Sequence, residues 1–218
     1  MASCHEVVED KKLYQKSNKV LLMGNPNVGK SVIFSQLTGI HVVSSNYAGT
    51  TVSYTEGTLK LGNETYTLID VPGTYSLEST SEAEEVAIRF LNSKPVAIIC
   101  VLDATNLERN IKLGLDIQKY NIPVVYALNL VDVAKRRGFE INIGLLAKEL
   151  GAPVIPTIAV KNEGINELKQ VLQKVIGSSQ KGCANCAACP GCYSKNMNTW
   201  DRAREITARV RKKVNGKL

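Results

Sequence analysis

The stretch Val20-Leu21-Leu22-Met23-Gly24-Asn25-Pro26-Asn27-Val28-Gly29-Lys30-Ser31 decides the fold. An apolar run of strand length leads into Gly24–Ser31, which has the form G-x-x-x-x-G-K-[ST], and Ser31 to Leu37 continues as a helix-compatible segment. Strand, glycine-rich turn and helix in that order make a phosphate loop. The glycines let backbone N–H groups close round a phosphate, and the helix N-terminus adds a positive pole. Lys30 is placed to reach the β- and γ-phosphates and the Ser31 hydroxyl to ligate Mg²⁺. A glycine-rich turn matching by chance is the competing reading, weakened by the strand before and the helix after. The expected nucleoside-phosphate site comprises Gly24, Asn25, Asn27, Val28, Gly29, Lys30, Ser31 and Val32.

Asp70-Val71-Pro72-Gly73 follows a second strand pattern, Tyr66 to Ile69. A carboxylate at a strand end can hold Mg²⁺ through water, and the Gly73 N–H can approach a γ-phosphate. A third strand pattern, Val124 to Leu128, runs into Asn129-Leu130-Val131-Asp132. Asp132 would accept two hydrogen bonds from N1 and N2 of guanine, which adenine cannot supply. A buried carboxylate left without those donors is costly, so discrimination should be steep. N-x-x-D alone reads as a helix cap; in register behind the other two motifs, Asn129 and Asp132 read as base contacts. Leu130 replaces the usual lysine. The later base loop, often T-S-A, is Thr157-Ile158-Ala159, where Ala159 keeps an N–H for guanine O6 and Ile158 lacks a hydroxyl. Modest affinity and fast nucleotide exchange are expected.

These strings resemble the translation-factor-related small GTPases and, more closely, the N-terminal G domain of the FeoB family of bacterial ferrous-iron transporters. The resemblance is carried by Gly24–Ser31, by Asn46-Tyr47-Ala48-Gly49-Thr50-Thr51-Val52, by Ala127–Asp132 and, most specifically, by Asp70-Val71-Pro72-Gly73-Thr74-Tyr75-Ser76-Leu77. It covers roughly residues 18–177. It implies a P-loop small-GTPase fold with GTP and GDP as ligands and GTP hydrolysis as the activity. It also implies a membrane transport domain in the same polypeptide, outside this chain, with nucleotide state controlling Fe²⁺ uptake from the cytoplasmic face of the cell membrane. In such a domain Mg²⁺ is held by Ser31, Thr51 and Asp70, Thr51 rather than Thr50 matching the family's switch threonine. Asn27 would help bind K⁺ as a stand-in for an arginine finger, against the plainer reading that it braces its own loop. Lys30, Thr51, Gly73 and Asn27 thus carry the catalytic assignments. Thr74 stands where many GTPases place a water-orienting glutamine, so intrinsic hydrolysis is expected to be slow.

Strand patterns fall near 19–23, 53–60, 64–70, 96–102, 122–128 and 153–156, and helix patterns near 30–38, 82–92, 107–120, 142–150 and 163–176. That alternation predicts an α/β fold: a mostly parallel six-stranded sheet, helices on both faces and the ligand at the C-terminal strand ends. The strands at 53–60 and 64–70 form its one antiparallel pair. The chain divides into a flexible tail (1–17), a G domain (18–177), a Cys-rich linker or metal-binding segment (178–198) and a basic C-terminal helix (199–218). Hydrophobic content of 44% can build a core, while the longest apolar runs are far too short to span a bilayer and no signal peptide is visible.

The chain holds 27 basic and 20 acidic residues, but 202–218 alone carry seven basic residues against Glu205. The remainder, twenty against nineteen, is nearly neutral, so the net charge belongs to the tail. Three readings stand open for it: RNA contact, contact with anionic lipid, or a solvated helix face. A freestanding RNA- or ribosome-associated assembly GTPase is therefore the alternative function, though the tail has no RNA module and only Trp200 as an aromatic. Thr199 can cap this helix, with Ala203, Ile206, Val210 and Val214 on one face.

Cys183, Cys186, Cys189 and Cys192, at uniform spacing, suit Zn²⁺ or an iron–sulfur cluster, a redox dithiol pair, or free thiols. Cys100 lies in an apolar strand and reads as core. The sequence sets no oligomeric state.

Overall fold

The computed structural model describes residues 18–39, 42–47, 50–179 and 198–213. The expected Cys183–Cys192 site and the N-terminal tail lie outside these residues.

Seven strands form one sheet in the order β2-β3-β4-β1-β5-β6-β8. They are β1 (Lys19–Gly24), β2 (Val42–Asn46), β3 (Ser53–Leu61), β4 (Glu64–Asp70), β5 (Ala97–Asp103), β6 (Val124–Asn129) and β8 (Val154–Pro156). The pairs from β4 through β1, β5 and β6 to β8 are parallel. Sequence reading expected a six-stranded sheet with one antiparallel pair; this sheet has seven strands and two such pairs, β2/β3 and β3/β4. The missed strand is β2, a short edge segment whose Val43 is exposed, so it shows no buried alternation.

Alternate residues of the parallel strands feed two separate cores, as period-two geometry requires. Leu21, Met23, Ile98, Cys100, Leu102, Tyr126 and Leu128 pack on one face with α2 (Glu82–Asn92), α3 (Leu107–Gln118), α5 (Ile143–Leu150) and α7 (Thr199–Val210). Val20, Leu22, Ile99, Val101, Val125 and Ala127 pack on the other with α1 (Lys30–Thr38) and α6 (Ile165–Ser179). The centre of the sheet is thereby sealed on both sides, and its loops at the C-terminal strand ends carry the polar residues.

The C-terminal helix differs from expectation at both ends. Its cap is Asn198, whose side chain accepts from the Trp200 N–H, rather than Thr199. It stops at Val210, and Arg211–Lys213 form β9, antiparallel to β7 (Phe139–Ile141). Ala203, Ile206 and Val210 are fully buried against α3 and α5. Arg202 and Arg209 pair with Glu149 of α5 and with Glu205, Arg204 pairs with Glu108 of α3, and Arg211 lies over the Phe139 ring. Four of the tail's basic residues, Arg202, Arg204, Arg209 and Arg211, thus contact the body of the domain.

Candidate functional site: a phosphate loop with two switch segments

Gly29 opens α1 in a left-handed conformation, and a Cβ there would meet Asn129 Nδ2 at 2.3 Å. Only glycine fits. The first turn of α1 has no side-chain cap and no acidic residue, so its N–H groups face the loop unopposed. Lys30 Nζ stands 3.9 Å from Asp70 Oδ1, both side chains being mostly buried. Burial lowers the Lys30 pKa and raises that of Asp70, each countered by the other's charge. Gly73 completes the group: a Cβ on it would lie 3.2 Å from Lys30 Nζ and 3.0 Å from the Pro26 backbone. Loop, lysine, strand-end carboxylate and glycine are thus brought together as the motif spacing anticipated.

Asp70 Oδ1 is buried without a hydrogen-bond partner. With the Ser31 hydroxyl it makes a set of hard oxygen donors of the kind Mg²⁺ prefers, so the chemistry of these residues fits that ion. Thr51 sits elsewhere. Its hydroxyl is exposed and donates to Glu82 Oε2 of α2 at 2.9 Å. Asn27 is also exposed, in a left-handed conformation (φ 64°). Val28 is buried and Val32 half-buried.

The base-side residues depart from the sequence reading in three respects. Asn129 is 2% exposed and acts as a brace: its Nδ2 donates to Val28 O at 3.0 Å, while its Oδ1 accepts from Thr157 Oγ1 and Ala159 N. The Ala159 N–H expected to face guanine O6 is therefore engaged within the protein. Asp132 is not the buried carboxylate expected; its side chain is 24% exposed and ion-paired with Arg136 one turn along α4 (Val131–Arg136). A left-handed Leu130 separates β6 from that helix.

Sequence reading missed what holds the segment from Gly73 to Thr80, the second candidate switch. Glu84, buried on the first turn of α2, accepts from Ser76 Oγ (2.7 Å), Thr80 N (2.9 Å) and Thr80 Oγ1 (2.5 Å), while its own N–H donates to Ser81 Oγ. The signal was present as the capping-box pattern Ser81-x-x-Glu84. Burial raises the Glu84 pKa, but these hydrogen bonds outweigh it and hold the carboxyl below the usual range. Glu84→Ala should cost about 2 kcal/mol of stability, read by denaturant unfolding. Because the folded pKa is depressed, Glu84 stabilises fully above the ordinary carboxylate pKa. That contribution fades as pH falls through the folded value, so the gap between wild type and variant should narrow in acid. Tyr47, before Thr51, packs edge-on to Tyr54 and Phe90, so the first candidate switch is docked on α2 as well.

A phosphate loop at the end of a parallel strand, with a carboxylate and glycine from the adjacent strand end, defines a P-loop nucleotide-binding domain of the GTPase type. Residues 18–172 match the FeoB_N family, Ferrous iron transport protein B, and the chain belongs to that family. The Fe(2+) transporter FeoB of Shigella flexneri is 40% identical over 158 residues, which are 70% of this chain and 20% of that protein. The chain therefore spans about a fifth of the length of the curated relatives it matches. The cytosolic domain of L. pneumophila FeoB superposes with a TM-score of 0.75 at 31% identity, covering 89% of this chain and all of that one. The cytosolic domain of the T. maritima FeoB iron transporter in its GMPPNP form gives a TM-score of 0.76 at 26% identity over 89% and 99% of the two chains. A ribosome-assembly GTPase is not favoured by any of these.

Among the described residues no helix is long and apolar enough to cross a membrane, and no cluster of three or more His, Cys, Asp or Glu could hold a metal ion.

Proposed function

We propose that this chain is the GTP-binding and GTP-hydrolysing regulatory domain of a bacterial ferrous-iron membrane transporter, lying at the cytoplasmic face of the membrane, with nucleotide state controlling Fe²⁺ uptake. The observation that carries the reading is the convergence of Lys30, Asp70 and Gly73 on one phosphate loop in a member of the FeoB family. GTP would lay its phosphates against the N-terminus of α1, with Lys30 between the β- and γ-phosphates and the Gly73 N–H on the γ-phosphate. Ser31, Asp70 and, once it leaves Glu82, Thr51 would hold Mg²⁺, which when bound neutralises phosphate charge. Thr74 carries no amide to orient water, so backbone groups of the switch segments do so and hydrolysis is slow. Loss of the γ-phosphate releases both segments.

Two finer assignments follow. Asn27, exposed at the rim of the loop, binds K⁺ and speeds hydrolysis. Turnover should then be about tenfold faster in KCl than in NaCl, one missing charge-stabilising contact being worth that much or more. Equal rates, or no loss of the difference in Asn27→Ala, would dispose of the K⁺ assignment. At the base, Ile158 makes exchange fast. Ile158→Ser should slow GDP release about fivefold by stopped-flow fluorescence, the value of one added hydrogen bond. The membrane transport domain of the same polypeptide is the partner, and contact with anionic lipid falls to the exposed Lys212 and Lys213.

A further inference from the structure

Asn25 occupies a position that the phosphate-loop pattern leaves open, since any residue type satisfies its second place. Its side chain is 2% exposed, yet neither Oδ1 nor Nδ2 has a hydrogen-bond partner. Leaving such a group unpaired costs about 1–3 kcal/mol, and folded proteins rarely tolerate it without a use.

The Gly73–Thr74 segment touches the residues on either side of Asn25. The Thr74 N–H donates to Gly24 O at 3.4 Å, the long end of a hydrogen bond. Gly73 packs against Pro26 so closely that a Cβ would sit 3.0 Å from its N and Cα. The loop itself is fixed here: Gly24 lies against β5, where a Cβ would meet Val101 O at 2.7 Å. The β1–β4 ladder ends with the Val71 N–H on Leu22 O, and beyond it Pro72 to Thr74 are tied to the loop by the long Thr74–Gly24 bond. An unpaired buried carboxamide thus sits in the phosphate loop beside a segment whose backbone is joined to that loop by one long hydrogen bond.

We infer that Asn25 is a positioning residue for the GTP-bound state, its carboxamide pairing with the Gly73–Thr74 backbone when that segment turns to the γ-phosphate. The inference rests on the GTP reading above. It makes the second place of the loop a sensor of nucleotide state, distinct from the backbone N–H groups that bind phosphate in either state.

Asn25→Leu separates this from a structural role, because leucine has similar size and no polar atoms to leave unpaired. The variant should melt at least as high as wild type without nucleotide and bind GDP within about twofold. Its affinity for GMPPNP should fall about tenfold, a loss of ~1.4 kcal/mol, and kcat for GTP should fall with it. Asn25→Ala carries the same GDP-to-GMPPNP ratio if leucine does not fold. Equal losses for GDP and GMPPNP, or unchanged GMPPNP affinity, would overturn the inference while leaving the site intact. Wild-type protein that binds neither nucleotide would overturn the site reading and this inference together.

Discussion

Lys30→Met is expected to lower the single-turnover rate of GTP hydrolysis by about 10²–10³ and to weaken GDP binding more than tenfold. Methionine keeps the apolar stem that packs in the loop and removes only the ammonium, so the change reads charge rather than packing. The ammonium does two jobs. In the proposed GTP complex it opposes the phosphate charge, and at 3.9 Å it offsets the burial of Asp70. Without it the Asp70 carboxyl, already raised by burial, moves further up, because the Lys30 charge is what opposes that rise. The variant's activity should therefore need a higher pH than wild type, seen as a displaced acid limb in its pH–rate profile. A rate within threefold of wild type would place the phosphates elsewhere.

Asp132→Ala is expected to weaken GTP binding about 10²–10³-fold while leaving ATP binding unchanged, collapsing discrimination between the bases. The side chain is partly exposed and its partner Arg136 is 72% exposed, so their pair contributes about 1 kcal/mol or less. Stability and base selection are thereby separable at this residue. A helix-capping role for Asp132 predicts the opposite pattern, a small change in melting temperature and no change in the preference between GTP and ATP. Competition titrations with both nucleotides distinguish the two.

Strong local signals carried most of the fold. β1, β5 and β6 are continuous apolar runs, and the phosphate loop and Asp70–Gly73 string announce themselves by spacing. What remained hidden depends on contacts between distant segments. β9 exists because Arg211–Lys213 meet Phe139–Ile141 some seventy residues earlier, and neither three-residue piece has a period to read. The docking of α7 follows from Ala203, Ile206 and Val210, a stripe visible in the sequence, but its target was not. Glu149 and Glu108, which take up the arginines, look like ordinary helix-surface residues.

Within the site the same division holds. Lys30, Asp70 and Gly73 converge because the β1–β4 ladder aligns their strand ends, as the motif order implies. Asn129 was legible as a site residue, whereas its use as a brace depends on Val28 and the 157–159 loop arriving from two separate segments. The engagement of Thr51 by Glu82 joins two segments thirty-one residues apart and has no sequence signature.

The central claim is that this chain is a guanine-nucleotide switch, and equilibrium binding of fluorescent GDP and ADP in the presence of Mg²⁺ tests it most directly. The predicted result is saturable GDP binding at least about a hundredfold tighter than ADP, abolished in preference by Asp132→Ala. Equal affinity for the two nucleotides, or binding of neither, would contradict it.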